Sequence, residues 1–281
     1  VPETGGERIQ GLHVETSDRI VGEKYSLLGR IAKQIHIMIP KTIHYCWFGH
    51  SPLPLSARKC IESWCTYFPD YEIKEWNENN FDIGIIPYVK EAYTAKKYAF
   101  VSDFARFWIL YHYGGIYFDT DVEVIRPMDD IVSRGTFMGC EQGSLKGISA
   151  FRINPGVGMG SLPGLEIYKE LLELYAGLHF VYSAANLKTV VEHTTELFMK
   201  HETKEYGNGI LQIAGVYVYP PDYFSPKSYV TKKIRITENT RTIHHFAGTW
   251  QPGWKKLLLR VWVPLSVCCP KMTDKIKAFL K

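Results

Sequence analysis

Between Met38 and Trp250 the apolar positions fall into short runs separated by longer, helix-spaced stripes. Ile43 to Phe48 is an apolar run closed by Gly49, the mark of a buried strand. From Ser56 to Tyr67, Ala57, Ile61, Trp64 and Cys65 recur at helical spacing and predict a helix. Tyr71 to Trp76 predicts a second strand, so the chain opens as an α/β domain. Tyr88 to Tyr113 predicts one long helix broken by Gly114-Gly115. A short apolar strand, Ile116-Tyr117-Phe118, then runs into Asp119-Thr120-Asp121. Further on, strands are expected at Thr136–Cys140, Tyr217–Tyr219 and Thr242–Phe246, and helices at Leu165–Ala176 and Leu187–His201. There is no internal repeat and no low-complexity stretch.

Composition narrows the class. The 281 residues are 46% hydrophobic and 22% charged, enough to bury one sizeable core and too apolar for a disordered chain. Residues 1 to 37 are polar and turn-prone and read as an N-terminal extension or expression remnant, with the folded domain expected over 38 to 250. The formal charge is +4, but residues 251 to 281 hold seven basic residues and one acid, a net +6, leaving −2 for the rest. A nucleic-acid binder spreads basic charge over a face of its domain, so no nucleic-acid partner is expected. Basic residues interleaved with Trp and Leu from Trp254 to Lys281 suit an interfacial segment on an anionic membrane, and equally a packed terminal helix with solvated lysines. The longest apolar run, Leu257 to Cys269, contains Arg260 and Pro264 and is too short to span a bilayer. Six cysteines without zinc spacing, no Asn-x-Ser/Thr sequon and no apolar signal stretch together lead to an expected cytoplasmic setting, at the inner face of the cell membrane if the tail binds there.

The chemistry centres on Asp119 and Asp121. Alternation along a strand puts both carboxylates on one face, just past a strand's carboxyl end, where α/β folds place ligands. Two such carboxylates can hold a divalent cation, and the cation a diphosphate, although a solvated turn is the commoner fate of an isolated Asp-x-Asp. Asp103 and Arg106 lie three residues apart on the preceding helix amid Phe100, Val101, Phe104, Phe107 and Trp108. They form either an intrahelical ion pair or a site in which the carboxylate holds sugar hydroxyls and the guanidinium phosphate oxygens. Trp47, at the end of the first strand, is placed for core packing or for stacking on a base. Of the pair His244-His245, one must face away from the other on a strand, and His245 is taken as the metal ligand. Gly248, Trp250 and Trp254 suggest a closing loop beside it.

In this order the pieces Ile39–Gly49, Ala99–Arg106, Tyr113–Asp121, Tyr219–Pro226 and Ile243–Trp250 resemble glycosyltransferase family 32, the sugar-binding-region family with a DXD motif, and its bacterial capsule and surface-polysaccharide members. The resemblance covers about Met38 to Trp250. It implies a GT-A type α/β fold with a mixed, mainly parallel sheet flanked by helices, a nucleotide-sugar donor, and Mn²⁺ or Mg²⁺. UDP-sugars are favoured as donor, with GDP-mannose as the fungal relatives' choice. The acceptor implied is a saccharide, taken as lipid-linked, with retention of anomeric configuration. By similarity to the clostridial glucosylating toxins, Trp47 would stack on the base and Asp103 and Arg106 would grip sugar and phosphate. Asp119 would touch ribose and sugar, Asp121 would bind the metal, and His245 would fall at a further metal position. Two other functions stay open: a carbohydrate-binding protein that has lost turnover, and a transferase acting on a protein.

Overall fold

The computed structural model describes residues 38–142, 151–182, 188–228 and 231–248; what was read into 1–37, Trp250 and 251–281 lies outside them. Strand β1 (Thr42–Cys46) lies between β2 (Glu72–Trp76) and β3 (Gly115–Tyr117), parallel to both. Next to β3 runs β7 (Met159–Ser161), antiparallel, then β5 (Phe137–Gln142), antiparallel to β7. Beyond it stand β10 (Val216–Tyr219), parallel to β5, then β9 (Ile210–Ile213) and β8 (Thr203–Gly207), with β6 (Phe151–Ile153) paired to β5 off this path. β1, β2, β3, β5, β8 and β10 point one way and β6, β7 and β9 the other, the mixed sheet with one dominant direction expected of a GT-A fold.

Core clusters cover both faces. One packs helices α2 (Pro87–Thr94), α3 (Tyr98–Tyr113), α5 (Glu166–Ala176) and α6 (Val190–Phe198) on the sheet. The other packs α1 (Leu55–Tyr67), the short α4 (Asp129–Val132) and α7 (Pro221–Phe224). The expected single helix over Tyr88–Tyr113 is therefore two. Lys96, at φ 56°, closes α2 in the left-handed conformation. The Lys97 N–H returns to Ala92 O at 2.9 Å and the Lys96 N–H to Tyr93 O at 2.8 Å, a complete Schellman turn without its usual glycine. α6 starts at a capping box, the Thr189 hydroxyl accepting from the Glu192 N–H while the Glu192 carboxylate accepts from the Thr189 N–H.

Two features aim the site. β3 stops at Tyr117, and the chain turns through Asp119–Asp121 into β4 (Val122–Val124), with the Val122 N–H bonded to Asp119 O at 3.0 Å. The aspartates thus share a turn, and strand alternation is not what brings them to one side. β4 then pairs antiparallel with β11 (Thr242–His244), His244 opposite Val122, which carries residue 244 next to residue 121. α1 braces this ribbon: the Trp64 indole donates to Val122 O at 2.8 Å and the Val124 N–H to the Ser63 hydroxyl at 2.9 Å.

Candidate active site

The acidic site is built from the helix upward. α3 is apolar on nearly every side, yet it buries Asp103 and Arg106 at 7% and 3% exposure. Burying both charges together is tolerable because they pair, Arg106 Nη2 to Asp103 Oδ1 at 3.0 Å. The guanidinium also reaches Asp119 Oδ1 at 3.3 Å and lies over the Tyr117 ring, 5.0 Å from its centroid. The Tyr117 hydroxyl donates to the same Asp119 oxygen at 3.1 Å. Burial pushes the Asp103 carboxyl up to about 7 against the pull of Arg106, with Asp119 adding like-charge repulsion. Burial works against the Arg106 charge too, but Asp119, Tyr117 and Asp103 around it raise its pKa further still.

A loop closes the back of Asp119. Its N–H donates to Gly156 O at 3.0 Å, and Gly156 is held in turn by Asn154, whose side-chain oxygen accepts the Gly156 N–H at 2.8 Å. The Asn154 amide donates to Glu141 Oε2 at 2.7 Å. Any Cβ on residue 156 would stand 2.0 Å from Asp119 Oδ2 and 3.0 Å from Arg106 Nη1, so only glycine lets this backbone approach the carboxylate.

Asp121 is held from the other side. His244 Nε2 lies 3.3 Å from its Oδ1, the Ala247 N–H donates to its Oδ2 at 2.7 Å, and the His245 N–H donates to its carbonyl at 2.9 Å. Burial opposes the Asp121 charge, but His244 and the Ala247 N–H hold its pKa down at about 2. Burial likewise opposes the imidazolium of His244, and Asp121 outweighs it, raising His244 above the usual 6.5. Ligand atoms of Asp119, Asp121 and His244 lie within 4.8 Å of one another. Two carboxylates and one imidazole make a donor set of the hard-to-borderline kind, and ligand bonds of about 2.1 Å would close that span with small side-chain movements. The residues present fit a divalent cation.

The histidine assignment needs correction. His244, not His245, faces Asp121; the His245 Nε2 turns away to Glu123 Oε2 at 2.8 Å. Hydrophobic patterning could not choose between them, because Thr242, Ile243 and His244 are all buried, so neither face of the strand reads as solvent. The register of β11 on β4 decides it. Arg106 joins Asp103 to Asp119, and Asp119 lies with Asp121 in the cluster that His244 completes. Trp47 follows β1, half-buried, its indole donating to Ser51 O at 2.5 Å; no hydrogen bond or ring contact among the described residues joins it to the acidic group. Tyr117, Asn154 and Gly156 escaped the sequence reading, although Asn154-Pro155-Gly156-Val157-Gly158 marks a tight loop.

A mixed α/β sheet thus ends in an acidic turn, with Arg106 behind it and His244 beside it, where the donor atoms of Asp119, Asp121 and His244 fit a divalent cation. Residues 54–138 match the family "glycosyltransferase sugar-binding region containing DXD motif". It is similar to inositol phosphoceramide mannosyltransferase 1 of Schizosaccharomyces pombe, 31% identical over 111 residues, 36% of this chain. The chain spans 33% of that relative's length. It is similar also to glycosyltransferase L373 of Acanthamoeba polyphaga mimivirus, 28% identical over 205 residues, 68% of this chain and 77% of the relative. Among solved structures, the PaToxG glycosyltransferase shares 17% identity at a TM-score of 0.43, over 63% of this chain and 77% of that one.

Proposed function

We propose that the protein is a metal-dependent, retaining glycosyltransferase that moves a hexose from a nucleotide-diphosphate sugar to a saccharide acceptor. The observation that carries this reading is the convergence of Asp119, Asp121 and His244, with Arg106 shared between Asp103 and Asp119 directly behind. Asp121 and His244 would be the main metal ligands and Asp119 a third. When bound, a divalent cation would neutralise the diphosphate leaving group, lowering the barrier by several kcal/mol. Arg106 fixes Asp119, and the buried Asp103 offers a carboxylate to sugar hydroxyls. Trp47 and Trp250 are proposed to flank the donor. Departure of the diphosphate on the face that the acceptor enters, the diphosphate itself taking the acceptor's proton, is the favoured route. Trapping a covalent glycosyl-enzyme would overturn it.

A UDP-sugar remains the proposed donor, and the name of the yeast relative supports including a mannose donor beside it. We propose further a lipid-linked acceptor, a role in capsule or surface-polysaccharide synthesis, and a cytoplasmic, membrane-apposed location through 254–281. The test is a panel of UDP- and GDP-sugars, assayed for nucleoside diphosphate release with Mn²⁺, with Mg²⁺ and with a chelator. Release that needs metal in the wild type and vanishes in Asp121→Ala supports the reading. Equal background rates in both proteins with every donor would leave only a binding module.

A further inference from the structure

Beyond Asp121 the chain forms a small basic hairpin. Lys227 and Ile234 pair as an antiparallel bridge, the Ser228 N–H donates to Lys233 O at 2.9 Å, and the Lys232 N–H returns to Ser228 O at 2.9 Å. The hairpin leans on the segment that holds Asp121. Lys227 Nζ donates to His245 O at 2.9 Å, and Lys232 Nζ lies 5.9 Å from the centre of the Phe246 ring, which itself packs at a tilt against His244, ring centres 4.2 Å apart. The ammonium groups sit close enough to feel each other: after burial, Lys227 is a cause of the lowered Lys232 pKa.

Charge accounting gives the pair a purpose. A nucleoside diphosphate leaves with about three negative charges, and a divalent cation brings two positive ones. Asp119 and Asp121 add two negative charges, while the Arg106 charge is shared between Asp103 and Asp119. A loaded site of this kind stays short of positive charge. An ammonium has three N–H donors and Lys227 spends one on His245 O, so two remain for a ligand. Among the described residues no carboxylate pairs with it.

Resting on the transferase reading, we propose that Lys227 and Lys232 form a phosphate-binding rim beside the Asp119–Asp121–His244 cluster. The phosphate is either the donor's diphosphate or one carried by the acceptor. The structural alternative is that Lys227 only clips the hairpin to the β11 exit. The double variant Lys227→Gln/Lys232→Gln separates the two, since an amide at 227 still offers the clip a donor while neither side chain carries charge.

The probes are inorganic pyrophosphate with Mg²⁺ and inorganic phosphate alone, titrated calorimetrically into wild type, Lys227→Gln/Lys232→Gln, the single Lys232→Gln and Asp121→Ala. Both are independent of the nucleotide, so a wrong donor in the sugar panel leaves this result intact. Loss of about tenfold or more in pyrophosphate affinity in the double variant, at an unchanged unfolding midpoint, assigns the rim to the donor. Unchanged pyrophosphate binding, with inorganic phosphate still bound by pyrophosphate-saturated wild type and lost in the double variant, assigns it to the acceptor. Should the double variant unfold, exposed Lys232→Gln alone carries the test, with about a threefold or greater loss expected. The proposal fails if wild type binds neither anion, or if the lysine variants match it. Loss in Asp121→Ala with lysine variants unaffected leaves the metal reading standing without the rim; the reverse leaves the rim without the metal.

Discussion

His244 and His245 are neighbours in the chain with opposite surroundings, one against Asp121 and the other against Glu123. At this scale the geometry makes a discriminating prediction. A metal ligand contributes through a bond that no neighbour replaces, whereas the half-exposed His245–Glu123 contact, open to solvent screening, is worth little. His244→Ala should lower metal-dependent turnover by about a hundredfold or more and raise the metal concentration needed for half-activity. His245→Ala should stay within about threefold of wild type, because a solvent-screened pair that turns away from Asp121 contributes about 1 kcal/mol or less. Steady-state rates across a Mn²⁺ titration check both, and equal losses in the two variants would remove His244 from the metal site. The aspartates and Arg106 were legible because charged residues amid phenylalanines announce a buried pair. The choice of histidine was not, since it follows from a register between strands more than a hundred residues apart.

Among the elements, those that declare a period were legible: β1, α1, β2 and α5 lie within two residues of their expected spans. The missed elements have physical reasons. β7 is Met159-Gly160-Ser161, three residues with a glycine at the centre, and it carries no strand signal. Glycine is there because a Cβ on residue 160 would stand 2.4 Å from the Phe137 ring packed over it. The α2–α3 break was hidden because a lysine occupies the left-handed position that usually announces itself as glycine. That position carries a stability prediction. A non-glycine residue there costs about 1–2 kcal/mol, partly offset by the greater freedom glycine brings to the unfolded chain. Lys96→Gly should therefore raise stability by roughly 0.5–1 kcal/mol, read as a higher denaturant midpoint at unchanged slope, and Lys96→Val should lower it. A glycine variant less stable than wild type would mean that the lysine side chain contributes more than its backbone strain costs.

Over the whole molecule, the buried histidines set how stability responds to pH. Trp76 can only donate, and its indole hydrogen bond to His44 Nδ1 at 3.1 Å makes that nitrogen an acceptor. His44 Nε2 must then carry the proton that Gly114 O accepts at 3.1 Å, so the fold requires neutral imidazole where β1, β2 and the turn before β3 meet. Burial lowers His44 from 6.5 to about 4, and burial lowers His193 similarly to about 4. Between those values the unfolded chain binds more protons than the folded one, so stability falls as pH drops from 6.5 toward 4. Each pKa unit is worth about 1.4 kcal/mol, which makes the full loss at most about 3 kcal/mol per histidine. His244 has the opposite sign: its raised pKa contributes stability below 6.5 that is lost as pH climbs through the folded value. Asp121 acts outside this window, since its pKa lowered to about 2 costs stability only once pH falls below 3.8. Asp103, pushed up to about 7, runs against the two histidines, contributing stability below 3.8 that is lost as pH rises through about 7. Two histidines outweigh one carboxyl, so metal-free protein should be most stable near pH 6.5, with a partly offset acid limb, and weaken on both sides. A divalent cation held by Asp121 and His244 would compete with the His244 proton and should flatten the alkaline limb while leaving the acid limb untouched. His44→Gln should shallow the acid limb alone, at some cost in overall stability. Denaturant midpoints from pH 4 to 8, with chelator and with Mn²⁺, check both limbs. An alkaline limb that ignores the metal would separate His244 from any cation, and an acid limb unchanged by His44→Gln would shift the acid sensitivity to His193 alone.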